Sequence, residues 1–409
     1  MIEITETAPP ELDRFRQRAM ILGIVGVVLS AAAALFDLTI FFRSYLLAFM
    51  FWAGIALGSL AILMVQHMSG GAWGIMIRRI LESSSRTFPL IAVFFIPIVV
   101  GIPFLYIWSD PDVVANNHHL HQKAHYYLNV PFFLARAVIY FAAWFFLAHM
   151  LNKRSLEQDR TGDRNLVRSM QTISGPGLVL FGATVTFASI DWVMSLEPEW
   201  FSTIYGILFM GSQALTAMAF TIAVIVLLSK WEPMAGLLQP RHLHDLGKLM
   251  LAFVMLWAYF HLSQFLIIWS GNLPEETPWY VRRLNNGWQY VGLAILLLHF
   301  VLPFVMLLSR DLKRNARLIV VVAGLIFFMR FVDLSWVILP AFDSVGGHDA
   351  GHNGGAGHAS WLYYPAAIFA ALGLGGLWLA YFLFQLKKRP LLPVRDPNLE
   401  KALAHTGGH

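Results

Sequence analysis

The chain has 409 residues, is 57% hydrophobic and only 13% charged, and carries a formal charge of +5 with a mean hydropathy of +0.61. Soluble domains hold roughly 25% charged residues, so this composition predicts a polytopic membrane protein. Its basic residues fall between apolar runs, which argues against a nucleic-acid partner. Cysteine is absent, which excludes thiolate-held iron–sulfur clusters, covalently attached c-type haem and cysteine nucleophiles within this chain.

Residues 1–18 read as a polar amino-terminal segment of mixed charge without a small-residue cleavage site, so no removable signal peptide is expected. Residues 19–386 form the membrane domain, and 387–409 a tail with no core-forming pattern that is expected to lie on the cytoplasmic surface or on a partner. Ten apolar spans are predicted: Ala19–Phe36, Tyr45–Val65, Phe88–Trp108, Pro131–Leu151, Pro176–Leu196, Thr203–Leu228, Leu249–Trp269, Trp288–Ser309, Leu318–Leu339 and Trp361–Leu386. Each approaches the roughly 20 apolar residues that cross a bilayer core at 1.5 Å per residue. The fold class is therefore all-α integral membrane. Spans two to five and six to nine make two sets of four that enter from the same side, with spans one and ten peripheral.

Basic residues give the expected orientation. The amino terminus, the loops after spans two, four, six and eight, and the carboxyl terminus hold 23 Lys and Arg against 4 in the opposite loops, with Arg136 and Arg330 inside spans. The positive-inside rule then places both termini in the cytoplasm. Two opposite-side segments are rich in histidine, Asn116–His125 and Gly346–His358. His348 and His352 are four apart, a spacing that suits a metal only on a helix. Glycine-rich runs favour a solvated loop instead.

Several spans bring polar side chains to one depth, and ionisable groups are costly in lipid unless they face a protein interior or a watery cavity. Arg136 on span four, Asp191 on span five, Gln213 on span six, His261 and Gln264 on span seven, and Arg330 and Asp333 on span nine all fall in the outer halves of their spans. His149 and His299 lie nearer the cytoplasmic side. Each has an ordinary reading. Arg330 and Asp333 are i, i+3 neighbours that can neutralise each other, Arg136 can neutralise a carboxylate on another span, and a lone histidine on an apolar helix can simply be packed. Taken together, the layer predicts a proton relay of His261, Asp191, Asp333 and Arg330, meeting between the two bundles. Arg136, Gln213, Gln264 and His299 are expected to line a substrate site or the proton path. Haem is not expected, because bis-histidine ligation needs two histidines at one depth on facing helices, and His261 and His299 read as about one to two turns apart.

Two stretches, ASIDWVMSLEPEWFSTIY (188–205) and HDLGKLMLAFVMLWAYFHLSQFLIIWSGNLPEETPWYVRR (244–283), resemble an NrfD-like (polysulfide-reductase-C-like) membrane subunit of bacterial alternative complex III, the smaller of the two that such complexes contain. The resemblance runs through the membrane part. It implies ten helices in two four-helix bundles with two outer helices, in a quinol:cytochrome c or quinol:acceptor oxidoreductase of the bacterial inner membrane. It also implies partners: a larger NrfD-like sister, an iron–sulfur subunit and c-type cytochromes, which would carry the clusters and haem c. No cofactor is expected on this chain alone, with quinone or menaquinone the candidate ligand. A structural scaffold and an ion or solute transporter are the competing readings.

Overall fold

The computed structural model describes residues 9–71, 73–342 and 363–404. Among them ten helices are long and apolar enough to cross a membrane: α1 Glu11–Phe36, α2 Leu38–Ser69, α3 Arg78–Val100, α4 Val130–Thr161, α5 Asn165–Leu196, α6 Tyr205–Leu228, α7 Pro240–Gly271, α8 Trp288–Leu308, α9 Ala316–Phe342 and α10 Tyr364–Lys387. The protein is a multi-pass, all-helical membrane protein, as its composition requires. The face at which α1 begins and α10 ends is called the terminal face below, and the other the distal face. The Gly346–His358 segment lies outside the described residues.

Several boundaries differ from expectation. Helix α2 starts at Leu38, separated from α1 by Asp37 alone, whose carboxylate accepts from the Thr39 amide at 2.7 Å and the Ile40 amide at 3.3 Å. That is the cap a helix start needs, and it pulls Arg43 out of the predicted loop and into the helix. Span three begins at Arg78 rather than Phe88, and Gly101 breaks it before a separate short turn, Ile102–Leu105. Helices α2, α4, α5 and α7 run 32 residues each, about 48 Å at 1.5 Å per residue, longer than the hydrocarbon core of about 30 Å.

Helices α2 and α6 form the axis. Within their most apolar windows 94% and 78% of residues are buried, against 22% for α7 and α8. They cross at Gly58, where an added Cβ would come within 2.0 Å of the Gln213 carbonyl oxygen. Lipid tails are as apolar as a leucine, so helices in a bilayer associate through close backbone approach and interhelical hydrogen bonds. Both occur here. The Tyr45 hydroxyl donates to the Phe94 carbonyl at 2.9 Å, Trp52 Nε1 to Ala371 at 2.9 Å, and Trp378 Nε1 to Thr87 Oγ1 at 2.9 Å. Helices α2–α5 pack together on one side of the axis and α6–α9 on the other.

The peripheral helices α1 and α10 pack against each other and onto α2. Their contact is glycine on glycine: a Cβ on Gly26 would sit 2.4 Å from the Gly373 nitrogen, and one on Gly376 2.3 Å from the Gly23 nitrogen. Gly26→Leu is therefore expected to force α1 off α10 and lower the melting temperature in mild detergent, at a cost of about 1–3 kcal/mol. Gly182→Leu is the control, since an added Cβ there meets nothing within 4 Å among the described residues. Equal melting temperatures for the two variants would contradict the close contact.

The tail departs from expectation. Leu391, Leu392, Leu399 and Ala402 are buried. Asp396 pairs with Arg78 of α3 at 2.6 Å, while the Ala402 carbonyl accepts from Arg241 at 3.2 Å and lies 3.1 Å from His242 Nε2, both on α7. The segment 388–404 thus straps the first four-helix set to the second across the terminal face.

Candidate functional site

The polar layer divides into two centres. In the first bundle Arg136 binds Asp191 through two bonds, Nε to Oδ2 at 2.8 Å and Nη2 to Oδ1 at 2.9 Å. The Tyr140 hydroxyl donates to the same carboxylate at 2.6 Å. Arg136 also donates to the Tyr127 carbonyl at 3.0 Å, and its guanidinium lies 3.8 Å from the centre of the Tyr127 ring. Both carboxylate oxygens of Asp191 are therefore engaged. A planar, bidentate pair satisfied in this way is well suited to hold α4 against α5. Expected members of one relay, Asp191 and His261 have different partners, and the four residues do not converge between the bundles. The physical reason is that Arg136, on the neighbouring helix at the same depth, already neutralises Asp191.

The second centre lies within α6–α9. Arg330 and Asp333, one turn apart on α9, are 5% and 1% exposed and bonded to each other through Arg330 Nη1 and Asp333 Oδ2. The other oxygen, Asp333 Oδ1, is buried without a hydrogen-bond partner among the described residues. His299 is fully buried, and neither of its ring nitrogens has a partner there. Trp257 contacts both histidines, with its ring centre 4.5 Å from that of His261 and 4.7 Å from that of His299, and its own Nε1 is also unpaired among the described residues. The two histidines, read from sequence as separated in depth, thus meet on one tryptophan.

The local cause is a change of helix type. Residues Ile295–Val301 of α8 are π-helical. A π segment inserts extra backbone into an α-helix, re-aims the side chains it carries, and is frequent at functional sites. Here it carries His299. Buried polar atoms without partners call for an explanation, such as an ordered water, an ion, strain or a catalytic role. Four of them, on Asp333, His299 and Trp257, occur on side chains around one centre.

Beside this centre a narrow cleft is lined by Tyr205, Ser212, His261, Gln264, Trp279 and Arg330, with Leu208, Phe209 and Val337. Its space is about 10 Å³, enough for one water and too small for a quinone headgroup. Gln264 is buried and accepts from the Ser202 hydroxyl at 3.3 Å. Gln213, expected among the lining residues, is instead turned to the α2 crossing, and its neighbour Ser212 lines the cleft. His149 is exposed on α4 and joins neither centre.

Sequence reasoning missed the distal cover of the cleft. Glu197 binds Arg282 at 3.1 Å and Arg283 at 2.9 Å, and Trp200 stacks on Trp279 with ring centres 4.9 Å apart. The two stretches 188–205 and 244–283 therefore fold onto each other above the cleft. Arg283 is fully buried, donates to the carbonyls of Trp279, Trp336 and Val337, and lies 3.6 Å from the Trp279 ring centre. Burial lowers its pKa, against the pull of Glu197.

It also missed an ionic cluster at the terminal face. Arg78, Arg79 and Glu82, counted as loop residues, are 1%, 2% and 1% exposed at the start of α3. Glu82 bridges Arg78 at 3.1 Å and Arg79 at 2.6 Å and is approached by Arg389 at 3.4 Å, while Arg79 also pairs with Asp159. Ser155 and Gln158 of α4 each accept from Arg78 at 3.1 Å. The i, i+4 spacing of Arg78 and Glu82, facing Ser155, Gln158 and Asp159 on α4, is the signal that was available. Among the described residues no three His, Asp or Glu side chains group as a metal site would. Neither a protein-family model nor a curated protein sequence matches the chain.

Proposed function

We propose that the chain is the smaller NrfD-like membrane subunit of an alternative complex III-type quinol:acceptor oxidoreductase, and that its second bundle handles the protons of that reaction. The observation that carries the proton role is the set of buried atoms on Asp333, His299 and Trp257 that lack hydrogen-bond partners among the described residues, beside His261, with His299 carried on a π-helical turn. Oxidation of a quinol releases two protons with two electrons, so such a complex needs buried bases along a path. Imidazole and carboxylate are the groups that take up and release protons near neutral pH. Asp333 is held by Arg330 on one oxygen, and the other, without a partner among the described residues, can accept a proton or a water. The one-water size of the cleft favours proton transfer over binding of a quinone headgroup at this place. Electron-transfer centres belong to partner subunits in this reading, and quinone chemistry to the larger sister.

A tag on this chain should recover, from mild detergent, an assembly containing c-type haem and iron–sulfur clusters that oxidises quinol. Recovery of the chain alone, or with a transported solute in place of redox subunits, would contradict the reading. Orientation has its own test. In the proposed inner-membrane location both termini are cytoplasmic, as the 23 to 4 distribution of basic residues requires. A cysteine at Gly355 is expected to react with an impermeant thiol reagent on intact spheroplasts, and one at Gly407 to react only after lysis. The reverse pattern would overturn the orientation.

A further inference from the structure

Near the terminal face α1, α6 and α10 enclose an apolar slot of about 300 Å³. Its floor is Leu12, Leu228, Phe382 and Leu386, each no more than 2% exposed. The slot follows from the sequence of the two outer helices. Glycines bring α1 and α10 into backbone contact at Gly23–Gly376 and Gly26–Gly373, whereas closer to the terminal face leucine and phenylalanine hold them apart. At the mouth Phe15 meets Trp231 edge-on, with ring centres 5.9 Å apart. Among the described residues the only charged one lining the slot is Arg18, which is exposed, and Arg14 lies one turn away on the same face of α1. Asp13, nearby, is paired with Arg16 and Lys387.

We infer that this slot holds one acyl chain of an anionic phospholipid whose phosphate rests on Arg18. An apolar void open to a bilayer forfeits dispersion contacts unless a lipid chain fills it. The chain itself gains little from moving between two apolar surroundings, so selectivity has to come from the headgroup. One cation near the membrane surface favours an anionic lipid by about fivefold. This inference is independent of the proposed redox role.

The test is native mass spectrometry of the full chain, in its natural assembly, titrated in mild detergent with phosphatidylglycerol or phosphatidylcholine. One phosphatidylglycerol per chain should bind about fivefold more tightly than phosphatidylcholine. Arg18→Gln, at an exposed position, should bring the two lipids to near parity. Ala19→Trp, which fills the slot, should lower occupancy by both. No preference in the native chain, a preference that survives Arg18→Gln, undiminished occupancy in Ala19→Trp, or retention of a quinone in place of phospholipid would each overturn the inference.

Discussion

Glu82→Ala is expected to be among the most destabilising single substitutions in the molecule, at about 3–5 kcal/mol, the range for removing one partner of a buried ionic group. The carboxylate is 1% exposed and faces three guanidinium groups, those of Arg78, Arg79 and Arg389. Its removal leaves positive charge in the interior, counterbalanced among the described residues by Asp159 and Asp396 at the far sides of Arg79 and Arg78. Glu82→Gln keeps the shape and a hydrogen-bonding group for Ser155, yet it should lose most of the same stability, because charge balance is the larger contribution. Asp396→Asn should cost less, since Arg78 retains Glu82, but it should also free the tail. Thermal denaturation of the three variants in one detergent measures the order. If Glu82→Gln melts with the native chain, the cluster is held by shape and not by charge.

Asp333→Asn carries the second large effect. It leaves Arg330, 5% exposed, without its counter-charge, again at about 3–5 kcal/mol. A structural role and a chemical role can be separated by replacing both partners. Arg330→Met with Asp333→Leu removes both charges and fills similar volume, which is often neutral or stabilising in a protein interior. The double variant should therefore fold and assemble nearly as the native chain does, while quinol turnover by the assembly falls by roughly a hundredfold, the lower end of what loss of a positioned acid or base costs. Normal turnover in the double variant would reduce the pair to a helix-packing device. The same double replacement at Arg136 and Asp191 should leave turnover intact, because both oxygens of that carboxylate are already bonded within the first bundle.

The spans and much of the polar layer were legible in the sequence. A run of about 20 apolar residues is the length a bilayer core demands, and a charge inside such a run must find a partner or a cavity. Arg330 with Asp333 followed from their one-turn spacing, and a carboxylate partner for Arg136 followed from the cost of leaving an arginine unpaired in lipid. What the sequence hid depends on contacts between distant segments. Arg78, Arg79 and Glu82 read as a loop because their partners are on α4 and, in Asp396, more than 300 positions away. The meeting of His261 and His299 on Trp257 rests on a π-helical turn just before Pro303; the proline marks a departure from a regular helix, but the apolar pattern does not say which side chains it re-aims. The tail looked unable to form a core for the same kind of reason: its few leucines fill gaps in a surface already made by the ten helices.

The most direct test of the account is proton release per quinol oxidised by the assembly in sealed vesicles, with His261→Ala compared against the native chain. His261 is half-buried beside the cleft, so its removal should leave folding intact and, in the proposed complex, the haems of the partner subunits as well. The account predicts slower quinol oxidation, or fewer protons released per quinol, in a fully assembled variant. An assembled His261→Ala complex that turns over at the native rate with the native proton yield would contradict it, and His261 would be a packing residue.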